Sequence, residues 1–193
     1  MNMDQKTIPR YKVIIIGNSM VGKTSIVESF TGSLVSKQHF PTVGTGFYPA
    51  ELNINGKDII FDIWDTAGQE MYRALVPQYV RGSAGALIVY DITSRDSFNS
   101  LDSWLEIVKP YSSSIITFLF GNKTDNEQNR QVSYDEAVKY ATDNEMKYSE
   151  GSAMTGDMIQ STFFKFFQVI VKNGKPRTQQ IQEVTETPEK NCC

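Results

Sequence analysis

The chain has 193 residues, 40% of them hydrophobic, with a formal net charge of −3 and a pI near 5.3. That length and apolar content support one well-buried core and are too small to divide comfortably into two, and the acidic balance lacks the basic footprint of a nucleic-acid-binding domain. The longest apolar stretch, residues 163–171, is interrupted by Lys165 and Gln168 and falls short of a bilayer, while both cysteines, Cys192 and Cys193, stand at the end, so no disulfide framework runs through the core.

The first ten residues contain no apolar h-region, and Asn2 stands where a myristoylation signal needs Gly. Residues 1–9 are therefore expected to be a flexible N-terminus of a protein that stays in the cytosol. Residues 11–16 form a short, Ile-rich run that reads as a strand. Directly behind it, the run from Gly17 to Thr24 fits the pattern GxxxxGK(S/T). In that pattern Gly17 and Gly22 permit a tight turn whose N–H groups face phosphate oxygens, Lys23 reaches the outer phosphates, and Thr24 offers a hydroxyl to Mg²⁺. A helix follows over residues 23–30.

Asn55-Gly56 separates the strand-like residues 51–54 and 58–64, a hairpin signal that brings in one antiparallel strand. Asp65-Thr66-Ala67-Gly68-Gln69-Glu70 follows that second run, and a turn of helix is expected after Glu70. Residues 86–90 read as a strand and 96–108 as a helix, which Pro110 stops near Lys109. Residues 115–120 read as a strand and lead into Asn122-Lys123-Thr124-Asp125. A capping box of Ser133 and Glu136 opens a helix over 134–142. The last helix, 157–172, carries Met158, Ile159, Phe163, Phe166, Phe167 and Ile170 near a 3.6-residue period, a core stripe. Short apolar runs alternating with amphipathic stretches argue for a mostly parallel α/β sheet. Beyond Lys172 apolar periodicity ends, so 173–193 is expected to be a disordered tail; its mixed charges do not make a polybasic patch.

The three motifs each end a strand-like run, where ligands bind in open α/β sheets. With them, the chain resembles the small Ras-like GTPases, and their Rab branch in particular, over residues 10–172. The resemblance implies the three-layer fold of P-loop NTPases, with a six-stranded, mostly parallel sheet, one antiparallel strand and helices on both faces. It implies a monomeric GTPase that binds GTP and GDP with Mg²⁺ and switches between two forms in vesicle traffic.

Carried over residue by residue, the resemblance assigns Ser19, Met20, Val21, Gly22, Lys23, Thr24 and Ser25 to the phosphates, and Thr24, Thr42 and Asp65 to the metal. Thr42 and Gly68 would sense the γ-phosphate, and release of both contacts on its loss is the order-to-disorder switch of this class. Gln69 would orient the attacking water, with Lys23 and Thr42 assisting. Asn122 and Asp125 would select guanine, Lys123 would lie along the nucleotide, and Ser152, Ala153 and Met154 would form the last guanine loop. No internal arginine finger is evident: Arg73 and Arg81 fit solvated or structural roles, so hydrolysis is expected to be slow until an activating protein acts, and Ser19 is small enough to admit its arginine.

Phe47, Trp64 and Tyr79 fall where Rab proteins keep an effector-sensing triad, and Cys192-Cys193 matches their paired geranylgeranylation site. The implied partners are an exchange factor, an activating protein, a GDP-dissociation inhibitor, an escort protein with its geranylgeranyl transferase, and GTP-dependent effectors. The implied location is the cytosolic face of an endomembrane, or the cytosol when the inhibitor is bound. Four positions depart from the family pattern: Gly46 replaces Asp, Met71 replaces Arg, Val35 replaces a base-packing aromatic and Met154 replaces Lys. The loss of that aromatic is expected to speed GDP release.

Overall fold

A computed structural model describes residues 8–32, 45–66 and 76–176. Six strands form a single sheet in the order β2-β3-β1-β4-β5-β6. They are β1 (Arg10–Ile16), β2 (Thr45–Ile54), β3 (Lys57–Thr66), β4 (Gly85–Asp91), β5 (Ile116–Asn122) and β6 (Lys147–Glu150). All neighbouring pairs are parallel except β2 with β3, which run antiparallel from Thr45 opposite Thr66 to Ile54 opposite Lys57. The Asn55-Gly56 hairpin forms as expected, with φ of 53° and 79°, the paired left-handed turn that suits the twist of the flanking strands. Pro49 is tolerated because β2 lies at the edge of the sheet.

The helices are α1 (Lys23–Thr31), α2 (Val76–Val80), α3 (Arg95–Asn99), α4 (Leu101–Val108), α5 (Tyr134–Asp143) and α6 (Ile159–Asn173). Alternation along the strands divides the core in two. Val13 and Ile15 of β1 join Leu87, Val89, Phe118 and Phe120 in one layer with α1 and α6. Ile14 and Ile16 join Ala86, Ile88, Tyr90 and Leu119 in the other with α2 to α5. A parallel sheet buried on both faces needs apolar residues at successive positions, which is why these strands read as unbroken runs. In the α1/α6 layer Phe61 stacks on Phe167 at 3.8 Å and Phe30 on Phe163 at 4.2 Å.

Three expectations are corrected. The helix expected over 96–108 is broken at Ser100 into α3 and α4; Ser94 caps α3 by accepting from the Ser97 N–H. Met158 does not join the apolar stripe: it has a left-handed φ of 57° ahead of α6 and is 39% exposed, while Ile159, Phe163, Phe166, Phe167 and Ile170 are buried. The strand expected over 51–54 is longer and begins at Thr45. The sixth strand that the resemblance implied is present as β6, although it coincides with none of the apolar runs. Other boundaries agree closely: α4 ends at Val108, with Pro110 in the 3₁₀ turn that follows. The Ser133 cap also forms, its hydroxyl accepting from the Glu136 N–H, while the Glu136 carboxylate pairs with Arg95.

Candidate functional site

The five parallel strands direct their carboxyl ends to one rim, and every described motif lies there. Register fixes the relative heights: Ile15 is opposite Asp65, Asp91 opposite Asn122, and Gly121 opposite Glu150. The β1 to α1 loop leaves the sheet between β3 and β4, where strand order reverses and a crevice must open.

That loop turns through left-handed backbone at Gly17 (φ 146°), Met20 (φ 65°) and Gly22 (φ 95°). Both glycines are required sterically as well. A Cβ on Gly17 would sit 2.2 Å from the Val89 carbonyl oxygen, and one on Gly22 would sit 2.3 Å from Nδ2 of Asn122. Lys23, 6% exposed as a residue, folds its ammonium back inside the loop, where it donates to the carbonyls of Gly17 at 2.9 Å and Asn18 at 2.7 Å. Burial lowers its pKa to about 8, against the attraction of Asp65. Ser25 and Val21 are buried beside it, and Met20 is exposed.

The Thr24 hydroxyl donates to Oδ2 of Asp65 at 2.6 Å. Asp65 is wholly buried, and its Oδ1 has no hydrogen-bond partner among the described residues. Burial raises its pKa, opposed by the Thr24 hydroxyl and the Lys23 charge. A buried carboxylate oxygen left unpaired is costly, and a hard cation or one of its waters is the kind of group that satisfies it. The donor set of Thr24, Asp65 and Lys23 within a glycine cradle thus fits a metal-bound phosphate chain.

At the other end of the crevice Asn122 ties three segments together. Its Nδ2 donates to the Val21 carbonyl at 2.8 Å, and its Oδ1 accepts from the Ala153 N–H at 3.0 Å. Ser152 Oγ donates to Oδ1 of Asp125 at 2.5 Å while accepting from the N–H groups of Met154 and Thr155. Asp125 and Met154 are exposed at the rim. Lys123 adopts a left-handed φ of 74°, and its ammonium lies 2.6 Å from Oδ2 of Asp91. Asp91 is in turn fixed by the N–H and hydroxyl of Thr93. The structure therefore brings together Ser19 to Ser25, Asp65, Asn122, Lys123, Asp125, Ser152, Ala153 and Met154. Val35, Thr42, Gly68, Gln69, Met71, Cys192 and Cys193 lie outside the described residues.

Sequence reasoning did not single out Asp91 as a site residue; the signal that could have found it is its place at the carboxyl end of β4. Beside the crevice Phe47 and Trp64 meet edge to face at 5.2 Å, with Tyr79 6.0 Å from Trp64. The Lys12 ammonium lies 5.2 Å from the Trp64 ring centre. Phe47 is half exposed, so this aromatic set reaches the surface. Gly46 suits its surroundings, since a Cβ there would come within 2.7 Å of the Tyr48 ring.

Comparison with known proteins gives concordant results. The sequence profile of the Ras family matches residues 12–172. Over 162 residues the chain is 38% identical to Ras-related protein Rab-4B of Homo sapiens, covering 83% of this chain and 76% of that protein. It is 43% identical over 163 residues to Ras-related protein Rab-2B of Dictyostelium discoideum, covering 84% and 81%. It is 38% identical over 171 residues to Ras-related protein Rab-18 of Lymnaea stagnalis, covering 88% and 84%.

Proposed function

Because the chain belongs to the Ras family, as a Rab-type small GTPase, we propose that its rim crevice holds GTP or GDP with Mg²⁺ and that occupancy by one or the other governs its partners. The observation that carries this reading is the junction at Asn122, which joins the phosphate loop to the loop bearing Ser152 and Ala153. The loops that would take the phosphates and the base, about a hundred residues apart in sequence, are tied to each other through this one side chain.

The backbone of residues 19–25 and the Lys23 ammonium would hold the phosphates, with Lys23 already desolvated and therefore strong as a charge partner. Thr24 and Thr42 would hold the metal, with Asp65 orienting its waters; when bound, that metal neutralises charge developing on phosphate oxygens. Gln69 orients the water that attacks the outermost phosphorus. Asp125 accepts from the two guanine donors that adenine lacks, and Ser152 keeps its carboxylate aimed. Thr42 and Gly68 hold their segments against the γ-phosphate, so its loss frees both. Phe47, Trp64 and Tyr79 present the resulting surface to effectors, and hydrolysis acts as the timer.

The same reading includes slow intrinsic turnover accelerated by an activating protein, reloading by an exchange factor, and endomembrane attachment through geranylgeranyl groups on Cys192 and Cys193. An escort protein would deliver the chain to the transferase, and a GDP-dissociation inhibitor would return it to the cytosol. Calorimetry with GDP and ADP tests the base site: tight binding of GDP alone is expected, and equal binding of both would overturn the reading. In single-turnover assays Gln69→Leu is expected to slow GTP hydrolysis by about tenfold or more without weakening GTP binding.

A further inference from the structure

The Asn18 side chain of the phosphate loop reaches Ser100 and Trp104, residues of the α2 to α5 layer far away in sequence. Its Oδ1 accepts from the indole Nε1–H of Trp104 at 2.7 Å, across 86 positions of sequence. Its Nδ2 donates to the Ser100 hydroxyl at 3.0 Å, and that hydroxyl donates onward to the Asp96 carbonyl at 2.7 Å. Trp104 is 2% exposed within the α2 to α5 core layer. Ser100 is the residue at which the long helix expected from sequence breaks into α3 and α4. The backbone carbonyl of Asn18 meanwhile accepts from the Lys23 ammonium at 2.7 Å. One residue therefore carries an anchored side chain on one side and a ligand of the central lysine on the other.

We infer that Asn18 is a positioning residue: its carboxamide, clamped by Trp104 and Ser100, fixes the loop carbonyl that seats Lys23, and so sets how slowly nucleotide leaves. An amide has one acceptor and one donor end, and here both are used on groups from a single rigid neighbour. Such a strut prepares the loop in its phosphate-holding shape before the ligand arrives, which lowers the ordering cost of binding. It acts through Lys23 and touches no reacting atom. The helix break supplies the geometry, because it places the Ser100 hydroxyl and the Trp104 indole within reach of the same amide. This inference rests on the guanine-nucleotide reading.

The test is the dissociation rate of a fluorescent GDP analogue from full-length protein, measured alongside its affinity and the melting temperature. Asn18→Leu, close in volume but without hydrogen bonds, is expected to speed release about tenfold, and Ser100→Ala about threefold. Ser100→Thr, which keeps the hydroxyl, should release at close to the wild-type rate. Trp104→Phe, which keeps the Ser100 bond, should speed release by less than Asn18→Leu, and the Asn18→Leu, Trp104→Phe double variant should be no faster than Asn18→Leu alone, because that substitution already removes both links. The preference for GDP over ADP should persist in all of them, since the base contacts lie at the far end. If Asn18→Leu only lowers the melting temperature while release stays at the wild-type rate, or if Ser100→Thr behaves as Ser100→Ala, the strut is overturned while the guanine-nucleotide reading stands. Absence of GDP binding to the wild-type protein would instead overturn that reading and the strut with it. Should Trp104→Phe fail to fold, Asn18→Leu and the Ser100 pair still decide.

Discussion

Lys23 illustrates how a single residue stores the chemistry of the crevice. Burial holds its pKa near 8 while Gly17 and Asn18 carbonyls supply the hydrogen bonds. Anionic phosphates favour the charged form, so their binding raises this pKa and draws in a proton whenever the free protein has lost one. Below about pH 8 the lysine is already charged and the linkage is silent; above it, affinity falls with rising pH. A GDP titration at pH 7 and pH 9 is expected to show weakening of about tenfold, the amount one proton coupled at a free-state pKa of about 8 gives over that interval. Gly22 is a second case. Its φ of 95° and the 2.3 Å approach to Asn122 leave no room for a Cβ, so Gly22→Ala should weaken GDP binding by about tenfold to a hundredfold in calorimetry while circular dichroism shows the fold retained.

Among the described helices, α6 contributes the most buried apolar side chains to the core. Phe167 stacks on Phe61 and meets Phe30 edge to face, and Gly85 lets α6 approach β4 so closely that a Cβ would lie 2.4 Å from Ile170 Cδ1. Phe167→Ala is expected to cost about 3–5 kcal/mol, measured as a lower urea midpoint with an unchanged slope. This element was legible in sequence because five large apolar residues recur on one face. The strand β6 was not: Lys147–Glu150 is short and half-buried, held by backbone pairing to β5 instead of an apolar pattern. The break at Ser100 was hidden for a related reason, since a serine within an amphipathic run reads as a surface position until its hydroxyl finds a partner. The motif residues were readable because local backbone geometry demands their residue types. The Lys123–Asp91 pair and the Asn18–Trp104 bond were not, because each depends on strand order bringing distant segments together.

At the scale of the whole molecule, the sheet separates two tasks. One rim concentrates the polar and charged groups of the crevice, while the two faces are given to packing. Among the described residues no helix is long and apolar enough to cross a membrane; in the proposed cycle the attachment is lipid on Cys192 and Cys193. Two chains are needed because one gives only marginal, reversible anchoring. Removing both cysteines should leave GDP affinity unchanged and shift the cellular protein from the sedimenting to the supernatant fraction; unaltered sedimentation would exclude the lipid. Finally, Asn122 bridges Val21 and Ala153 with one carboxamide, so in the proposed cycle a factor that pried this amide loose would slacken both jaws of the crevice together.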